Sequence, residues 1–582
     1  MRRHWGATCH SQLLSACSDT LSLMDTPQAQ QPELSHNPNI APPEGITPRV
    51  VSGEIGDFLR SHERRRRQLP RAVIVGFLTG LVAVAFRTSL DRADQFRTWL
   101  IHLSHNYAPL GILIPIIYGA VGAGAGVWLV QKVAPAASGS GIPHLKAVLH
   151  RLKEMRWARI LLVKFFGGIL SIGGGLALGR EGPTIQMGGC VGQMVSRWLG
   201  STPRERQTLI AAGAGAGLAA AFNAPLSGLV FVLEEVQRDF TPAVFTAAFV
   251  ASVTADLVAR LILGQLPVFH VAPYPPPPLS TIPVFLVLGL LTGLLGVVFN
   301  RALLGSLRLF ERTSGWPAGA VGALVGACVG LIGWFVPDAL GGGHPLVEQT
   351  LSGRVALGMI PLFFLLRFAL FLFSYGTGAP GGIFAPLLVL GAQVGLFVGL
   401  IAHQWWPQAV PEATMFAVVG MAAYFTAIVR APLTGIVLIL EMTGSQSLML
   451  PLLAACFTAY GMADLLGDRP IYEALLERDL LRGQENPELE GTLLLELPVL
   501  AGAPFAGKSI TELALPPGCL IITVCRGVKT EVPTSNTRLQ VGDRITAVIS
   551  PSAAHATVLL REGTEPGHHA TSHAVTAPSV TD

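Results

Sequence analysis

Residues 224–234 read APLSGLVFVLE, and residues 431–441 read APLTGIVLILE. Seven of the eleven positions are identical at an offset of 207 residues, and the other four exchange similar side chains. Two unrelated apolar helices would not share both the A-P-L-[ST]-G start and the closing glutamate. The chain therefore contains an internal duplication, whose two halves can be parallel or inverted.

The region around this repeat is too apolar for a soluble protein. The 582-residue chain has 40 Lys and Arg and 36 Asp and Glu, and only 38 of these 76 lie within 71–466. That is roughly 10% of the region, against about 25% in an average soluble domain. Eleven apolar segments, several interrupted by Gly or Pro, indicate many membrane spans. Composition excludes a soluble enzyme, a nucleic-acid-binding protein or a secreted disulfide scaffold as the main body.

A duplicated membrane region with broken segments is typical of transporters whose substrate binds between the halves. We predict an all-α polytopic membrane protein with repeats at about 71–265 and 280–466. Residues 1–70 are rich in Pro, Gln, Ser and His, which predicts a disordered cytoplasmic segment without a secretory signal. The run Arg64-Arg65-Arg66-Arg67 is typical of a cytoplasmic flank of a membrane span.

After about residue 467 the apolar runs shorten to strand length. Leu493–Leu500, Cys519–Cys525 and Ile545–Ile549 are separated by turn residues, which predicts a small α/β module at 490–561. A disordered tail at 562–582 is expected to follow. The seven cysteines lack a CxxC or framework spacing and are predicted to be free thiols.

Three short loops interrupt the apolar sequence, and each has Gly at its first and Pro at its last position. A helix that starts at such a loop presents free N–H groups and the positive end of its dipole, which attract an anion. One such loop is an ordinary membrane-helix kink, but three loops in both halves favour an anion site. The loops are Gly139-Ser140-Gly141-Ile142-Pro143, Gly179-Arg180-Glu181-Gly182-Pro183 and Gly382-Ile383-Phe384-Ala385-Pro386.

In this order the loops resemble the signature loops of the CLC chloride channels and proton-coupled chloride transporters. Phe222–Pro225 and Pro470–Tyr472 agree with the same family, and the resemblance covers about 71–480. It implies a CLC-type inverted repeat with broken helices and a homodimer with one anion pathway per subunit. It also implies a multi-pass protein of the inner (plasma) membrane with both termini in the cytoplasm.

The resemblance assigns the chloride ligands residue by residue. They are the hydroxyls of Ser140 and Tyr472 and the backbone N–H groups of Ile383 and Phe384. Hydroxyl donors suit chloride because they bind it without trapping it. Without this context Tyr472 would be interpreted as an interfacial tyrosine. Ser140, where nitrate-preferring relatives carry proline, favours chloride.

Two glutamates receive proton-transfer roles. A carboxylate among helix starts imitates an anion when ionised and leaves when protonated; Glu181 matches the family's gating glutamate. Glu235 has no partner in the second half, because Met442 follows Glu441. The family's transporters use a glutamate at this position to take protons from the cytoplasm, and its passive channels generally lack it. Taken alone, Glu235 is equally a solvated helix end.

The sequence departs from the family after the first loop. Where glutamate is common, this chain has His144, followed by Lys146, so the charge near the inner mouth differs. A histidine there can titrate near neutral pH, or it is an ordinary polar helix residue. Lys164 and Arg180 are interpreted as field-setting or structural cations rather than ligands.

Residues 490–561 resemble the C-terminal domain of TrkA-type potassium-uptake regulators. This resemblance suggests dimerisation or the binding of an unknown small ligand, and a structural cap is an equal alternative. The residues that carry it are Arg526-Gly527, Pro533, Thr537, Leu539 and Gly542-Asp543-Arg544-Ile545.

Together these features predict a homodimeric chloride/proton antiporter whose partners are chloride, protons and the bilayer. We expect no enzymatic activity, no metal site, no cofactor and no nucleic-acid partner. Two alternatives stay open. One is a passive voltage- or pH-gated chloride channel of the same fold, and the other is a membrane sensor that acts through the C-terminal module.

Overall fold

The computed structural model describes residues 48–107, 109–238, 240–265, 268–269, 271, 274–482, 493–527, 529–550, 553 and 556–565. Helices of the first half are α1 (Pro48–His105), α2 (Leu113–Val133), α3 (Ile142–Leu149), α4 (Trp157–Gly173), α5 (Glu181–Trp198), α6 (Pro203–Phe222), α7 (Pro225–Phe231) and α8 (Pro242–Leu263). Those of the second half are α9 (Ile282–Glu311), α10 (Ala320–Phe335), α11 (His344–Leu351), α12 (Ile360–Gly376), α13 (Phe384–Trp405), α14 (Thr414–Val429), α15 (Pro432–Thr443), α16 (Met449–Leu465) and α17 (Ile471–Arg482).

Seven helices among the described residues are long and apolar enough to cross a membrane. Others, including α10, α14 and α15, are apolar but shorter. A mixture of full-length and short helices is typical of transporters with broken spans. The seven candidate spans are Gln68–His105, Leu110–Val133, Pro242–Leu263, Leu279–Glu311, Leu357–Gly376, Phe384–Trp405 and Gln446–Leu465.

The duplicated sequence breaks its long apolar segment at the same place in each half. Asn223 and Arg430 end the preceding helices in the left-handed conformation, with φ of 55° and 66°. The alanine that follows each is extended because the next residue is proline, which disfavours a helical conformation before it. Pro225 and Pro432 then start α7 and α15. The Ala-Pro pair therefore divides each segment into two helices.

The closing glutamate of each repeat caps the opposite short helix. Glu234 accepts hydrogen bonds from the Thr434 N–H (2.7 Å) and hydroxyl (2.7 Å) and from the N–H before it (3.0 Å). Glu441 makes the same three contacts to Ser227 (2.8 and 2.5 Å) and the N–H before it (3.0 Å). A carboxylate at a helix start satisfies N–H groups that have no partner within the helix. The two halves are thus joined by a reciprocal exchange of caps.

A buried cation in each half fixes the loop before a short helix. Lys164 on α4 donates to the carbonyl oxygens of Ala137 (2.9 Å) and Gly139 (2.6 Å), just before α3. Arg367 on α12 donates to two carbonyls before α11, at 2.6 and 2.5 Å. Both side chains are fully buried. Lys164 therefore has the contacts of a structural cation, one of the two roles given to it from the sequence.

Two parts of the sequence prediction differ from the structure. Residues 48–70, placed within a disordered segment, lie in helix α1. Glu, Arg, Gln and Leu, with no Gly or Pro between Phe58 and Leu69, favour a helix there. Helix α5 was not among the predicted apolar segments, because its Gly and Gln residues hide it, although nearly all of it is buried. The rest of 1–70 lies outside the described residues. So does 566–582 of the predicted tail, whose first three residues, 562–564, belong to the helix Ala556–Thr564.

The C-terminal module is a four-stranded antiparallel sheet with one helix. Three strands match the predicted ones, and a fourth, short strand completes the hairpin after β2. Its core comprises side chains such as Val524, Leu539 and Ile545, and α18 packs on β1. The elements are β1 (Leu493–Pro498), β2 (Cys519–Arg526), β3 (Lys529–Glu531), β4 (Arg544–Ile549) and α18 (Ala556–Thr564), with sheet order β1-β4-β2-β3.

The motif residues of this module form an ion pair. Arg526 donates from Nε and Nη2 to the two carboxylate oxygens of Asp543, at 2.8 and 2.7 Å. Asp543 also accepts the N–H of Gln540 at 2.7 Å. The hydrogen bonds from Arg526 hold the pKa of Asp543 below its ordinary value. The pair ties the end of β2 to the turn before β4, which is a structural role.

Candidate anion and proton site

The three Gly-Pro loops meet in the interior of the membrane region. Gly179 and Gly382 exchange backbone hydrogen bonds of 2.8 and 2.6 Å, as in an antiparallel bridge. The N–H of Gly381 donates to the carbonyl of Gly139 at 3.1 Å. Helices α3, α5 and α13, which begin at these loops, therefore bring their amino ends together, as the sequence predicts for an anion site.

Glycine is required where the loops touch. A Cβ on Gly182 would lie 2.9 Å from the Ser140 carbonyl oxygen and 3.0 Å from the Gly382 Cα. Both are closer than side-chain carbons approach backbone atoms. Gly141, at φ +80°, supplies the left-handed turn that starts α3. The glycines thus allow the close approach of the three loops, with Pro143, Pro183 and Pro386 within the first turns of their helices.

Ser140 and Tyr472, the two predicted hydroxyl ligands, are fully buried. The Ser140 Oγ lies 3.4 Å from the N–H of Ile142, and the Ser140 N–H lies 3.4 Å from the Tyr375 hydroxyl. The Tyr472 hydroxyl has no hydrogen-bond partner among the described residues. A buried hydroxyl without a protein partner is a donor available to an anion. The chemistry of these groups fits chloride as a substrate.

Ile383 and Phe384 lie at the start of α13 and are fully buried. The first N–H groups of a helix have no acceptor within it, so the N–H groups of Ile383 and Phe384 are suited to binding an anion. The Phe384 ring lies 6.4 Å, centroid to centroid, from the Tyr472 ring. The structure therefore brings the start of α13 close to the predicted tyrosine ligand, although they are 88 positions apart in the sequence.

Glu181 is fully buried at the junction of the second and third loops. Its Oε2 lies 3.4 Å from the N–H of Ala385, in the first turn of α13. Its Oε1 has no hydrogen-bond partner among the described residues. The carboxylate thus lies where a helix start attracts an anion, and its hydrogen bond to that helix start is long.

Arg180 and His144 contact protein groups. Arg180 Nη1 lies 3.1 Å from the Asp91 carboxylate. His144 on α3 lies 3.3 Å, through Nδ1, from the side-chain amide of Gln186 on α5. Both contacts are those of structural residues, which is one of the two interpretations given to each from the sequence.

Glu235 lies in a π-helical turn, Val232–Val236, that follows α7. The equivalent end of α15 is an ordinary α-helix through Thr443. A π turn adds one residue to a helix, and such turns are frequent at functional sites. Within this turn the two successive glutamates face different neighbours: Glu234 caps α15, and Glu235 contacts Lys146 on α3.

Glu235 is fully buried and pairs with a lysine. Lys146 Nζ on α3 donates to Glu235 Oε1 at 2.7 Å, and the lysine side chain is only 4% exposed. Glu235 Oε2 lies 3.7 Å from Arg238 Nη2. Arg238 in turn contacts Glu473 at 2.5 Å. The sequence drew attention to Lys146 as a departure from the family but did not indicate this partner.

A cavity of about 2190 Å³ opens beside the first loop, between the membrane region and the C-terminal module. Its wall includes the first anion loop, the cations next to Glu235 and part of the C-terminal module. Because Ser140 lines it, the cavity connects the anion site to one side of the molecule. Residues from each part of this wall include Ser140, Lys146, Arg238, Tyr375, Leu497 and Arg561.

Tyr375 is the residue of the anion site that sequence reasoning missed. It lies in the apolar helix α12, where a tyrosine gives no signal. The structure places its hydroxyl against the Ser140 N–H and in the cavity wall. The only sequence hint is its position directly before Gly376-Thr377-Gly378, a turn that leads towards the third loop.

Two family models match the chain. One, described as the voltage gated chloride channel, matches residues 121–464, and the other, the TrkA-C domain, matches residues 494–560. They cover the membrane region and the C-terminal module at the positions where the motifs predicted these relationships. Both resemblances stated from the sequence are confirmed.

Named relatives agree with the first match. A protein of Yersinia pestis bv. Antiqua (strain Angola), named H(+)/Cl(-) exchange transporter ClcA, is 37% identical over 485 residues, which are 82% of this chain and all of the relative. A protein of the same name from Vibrio cholerae serotype O1 (strain M66-2) is 42% identical over 433 residues, which are 73% of this chain and 92% of the relative.

Solved structures show the same fold. A slow cyanobacterial Cl−/H+ antiporter has a TM-score of 0.70 and 37% identity, over 72% of this chain and 99% of that one. A eukaryotic CLC transporter, with a TM-score of 0.61 and 22% identity over 71% of this chain and 74% of that one, agrees in fold. The predicted CLC-type helical membrane fold with a small strand-containing C-terminal domain is confirmed.

Proposed function

This chain belongs to the voltage gated chloride channel family, and we propose that it exchanges chloride for protons across a membrane. The observation that carries the proposal is the setting of Glu181. Its carboxylate lies at the start of α13, accepts the N–H of Ala385 in a long hydrogen bond of 3.4 Å and is fully buried. An ionised carboxylate there occupies an anion position. Once it is protonated it is neutral, so the helix start no longer attracts it and it can leave. One side chain can therefore link anion movement to proton movement.

The chloride pathway begins at the cavity. Chloride reaches Ser140 and Tyr375 from there, and the Tyr472 hydroxyl and the N–H groups of Ile383 and Phe384 bind it further in. All of these donors are neutral, so they offset the loss of water without the strong attraction of a fixed cation. Release then stays fast enough for transport.

The proton pathway runs between two carboxylates. Glu235 accepts a proton from the cavity side and passes it on to Glu181, which releases it on the other side when it moves. The Tyr472 ring lies 6.4 Å, centroid to centroid, from the ring of Phe384, and the N–H of the next residue, Ala385, contacts Glu181. Intramembrane acids commonly serve as proton relays. Relatives that are 37–42% identical carry the name H(+)/Cl(-) exchange transporter, which supports this assignment.

We further propose a homodimer in the inner membrane with both termini in the cytoplasm. The arginine run at 64–67 supports this orientation, because such runs favour the cytoplasmic side. The C-terminal module then covers the cytoplasmic mouth of the cavity. The transport cycle needs no metal, no organic cofactor and no chemical reaction of an enzyme, since all its steps are ion binding and proton transfer.

The test uses the purified full-length chain in liposomes with a chloride gradient. Proton movement is followed with a pH electrode while a potassium gradient and valinomycin clamp the voltage. We expect protons to move against their own gradient, at a rate that depends on the chloride gradient.

Two other results would contradict the proposal. Chloride flux without uphill proton movement would indicate the passive channel, and Glu235 would then be a structural residue. Absence of both fluxes in protein that is folded and correctly inserted would favour a sensor that acts through the C-terminal module.

A further inference from the structure

The carboxylate of Glu235 is separated from the cavity by two cations. Lys146 and Arg238 both line the cavity, whereas Glu235 does not and is fully buried. Lys146 Nζ is 2.7 Å from one carboxylate oxygen, and Arg238 Nη2 is 3.7 Å from the other. A proton that enters from the cavity must therefore reach a carboxylate whose accessible side is occupied by positive charge.

The two cations are held differently. The Arg238 side chain is 49% exposed and has a second partner in Glu473 at 2.5 Å, so it shares its charge with the cavity and with another acid. The Lys146 side chain is 4% exposed and donates to Glu235. Removal of water strengthens an ion pair. Lys146 is therefore the stronger influence on Glu235.

Lys146 also connects the proton site to the anion site through one short helix. It lies on α3, which begins at Ile142, directly after the loop that contains Ser140. Helix α3 contacts both α5 and the π turn. A movement of α3 would therefore act on the chloride site and on the Lys146–Glu235 pair together.

We propose that Lys146 is a positioning residue for proton transfer: its ion pair holds Glu235 in place as a carboxylate and lowers the pH at which Glu235 accepts a proton from the cavity. This inference rests on the proposed exchange function. A nearby ammonium group favours the ionised form of a carboxylate, so a more acidic cavity is needed to protonate Glu235. Lys146 thereby sets the pH range in which exchange operates.

Other charged groups face this pair and bear on its pH response. The positive ones are Arg238, in the same segment, and His150, at the end of α3, which interacts electrostatically with Lys146. The negative one is Glu473 on α17. Helices α6 and α8 also contact the π turn, and their described charged side chains are Arg204, Glu205 and Arg206 on α6 and Asp256 and Arg260 on α8.

The test is the exchange rate of the full-length chain in liposomes as a function of pH on the cavity side. In Lys146→Met the pH of half-maximal exchange is expected to rise by about 1 to 3 units, the usual effect of removing a close opposite charge. Lys146→Arg keeps a cation at the same place and should stay close to the wild-type profile. Lys146→Gln retains a polar side chain of similar length. It should raise the pH of half-maximal exchange as Lys146→Met does, and it replaces the methionine variant in the test if that variant does not fold.

Lys153→Met is the matched control. Lys153 lines the same cavity, but its Nζ contacts the backbone oxygen of Asp479 at 3.3 Å. Its removal should leave the pH of half-maximal exchange within about 0.3 units, because this half-buried charge contacts another part of the chain and salt screens its effect on more distant groups.

The outcomes separate this inference from the proposed function. If the wild-type chain moves no protons uphill, the proposed exchange function fails. If the wild-type chain exchanges but Lys146→Met and Lys146→Gln have its pH profile, the role of Lys146 is wrong. Equal shifts in Lys146→Met and Lys153→Met would also overturn it. They would mean that the total charge of the cavity, and not the Lys146–Glu235 pair, determines the pH of half-maximal exchange.

Discussion

Glu181 and Glu235 are both fully buried carboxylates, and they differ in what holds them. Glu181 accepts a long hydrogen bond of 3.4 Å from a backbone N–H at a helix start, and its other carboxylate oxygen has no hydrogen-bond partner among the described residues. Glu235 has a lysine ammonium group at 2.7 Å and a guanidinium group at 3.7 Å. A weakly held acid can leave its position when its charge changes, whereas an ion-paired acid is held in place, and in its ionised form, by the opposite charge beside it.

This difference corresponds to the two tasks of the proton pathway. The residue that competes with chloride has to move out of an anion position, and the residue that receives protons has to remain next to the cavity. The dipole of a helix start attracts a carboxylate only modestly. In contrast, removing one partner of a buried ion pair strongly destabilises the fold, because the other charge is left buried alone. The following variants test this comparison.

Glu181→Gln is expected to have the largest effect. Glutamine has the shape of glutamate but cannot carry a proton at this position, so uphill proton movement should fall by about 100-fold or more, the usual effect of removing an acid-base group. Chloride movement should persist, because the other donors of the anion site are unchanged. The measurement is simultaneous chloride and proton flux in liposomes, and retained coupling would show that Glu181 is not the moving acid.

Glu235→Gln should also uncouple the two ions, through a different step. The anion site keeps all its donors, but no acid remains next to the cavity to receive a proton. Uphill proton movement should decrease by about 100-fold, the lower end of the usual effect of losing an acid-base group. The variant also leaves Lys146 buried without its anion, so thermal unfolding should be measured alongside. Normal coupling in a folded variant would make the ion pair a structural feature.

Much of this comparison could be predicted from the sequence, and part of it could not. Each of the three loops is a motif of five consecutive residues, and Glu181 lies within the second loop, so the sequence alone identifies them. Glu235 was recognised as the acid without a repeat partner. Its ion pair with Lys146 joins residues 89 positions apart across a π turn, and no sequence pattern specifies that turn.

The same limit explains the other differences. Helix α5 is buried on all sides by close helix contacts, which small residues such as Gly188 permit, so it has no apolar period to detect. Tyr375 contacts Ser140 only through the folded chain, 235 positions away. The homodimer and the orientation in the membrane stay predictions.

Tyr375→Phe tests whether the cavity side of the anion site contributes to binding. Loss of one hydroxyl next to Ser140 should weaken chloride binding by about threefold to tenfold, equivalent to about 0.5–1.5 kcal/mol. Proton coupling should remain, since neither glutamate is changed. Isothermal titration calorimetry of chloride binding measures the effect. Tyr424→Phe, which removes the hydroxyl of another buried tyrosine, is the matched control, and equal losses in both variants would argue against a specific role for Tyr375.

Glu234→Gln and Glu441→Gln should have the smallest effect on transport. Each glutamate accepts three hydrogen bonds at the start of the opposite short helix, so loss of its charge should destabilise the fold by about 1–3 kcal/mol. Because the two caps are equivalent, the two variants should lower the unfolding temperature by similar amounts and keep proton coupling. Glu234 is next to Glu235 in the chain, and we assign a structural role to the first and proton transfer to the second. If Glu234→Gln uncoupled the two ions and Glu441→Gln did not, this division of roles within the π turn would be wrong.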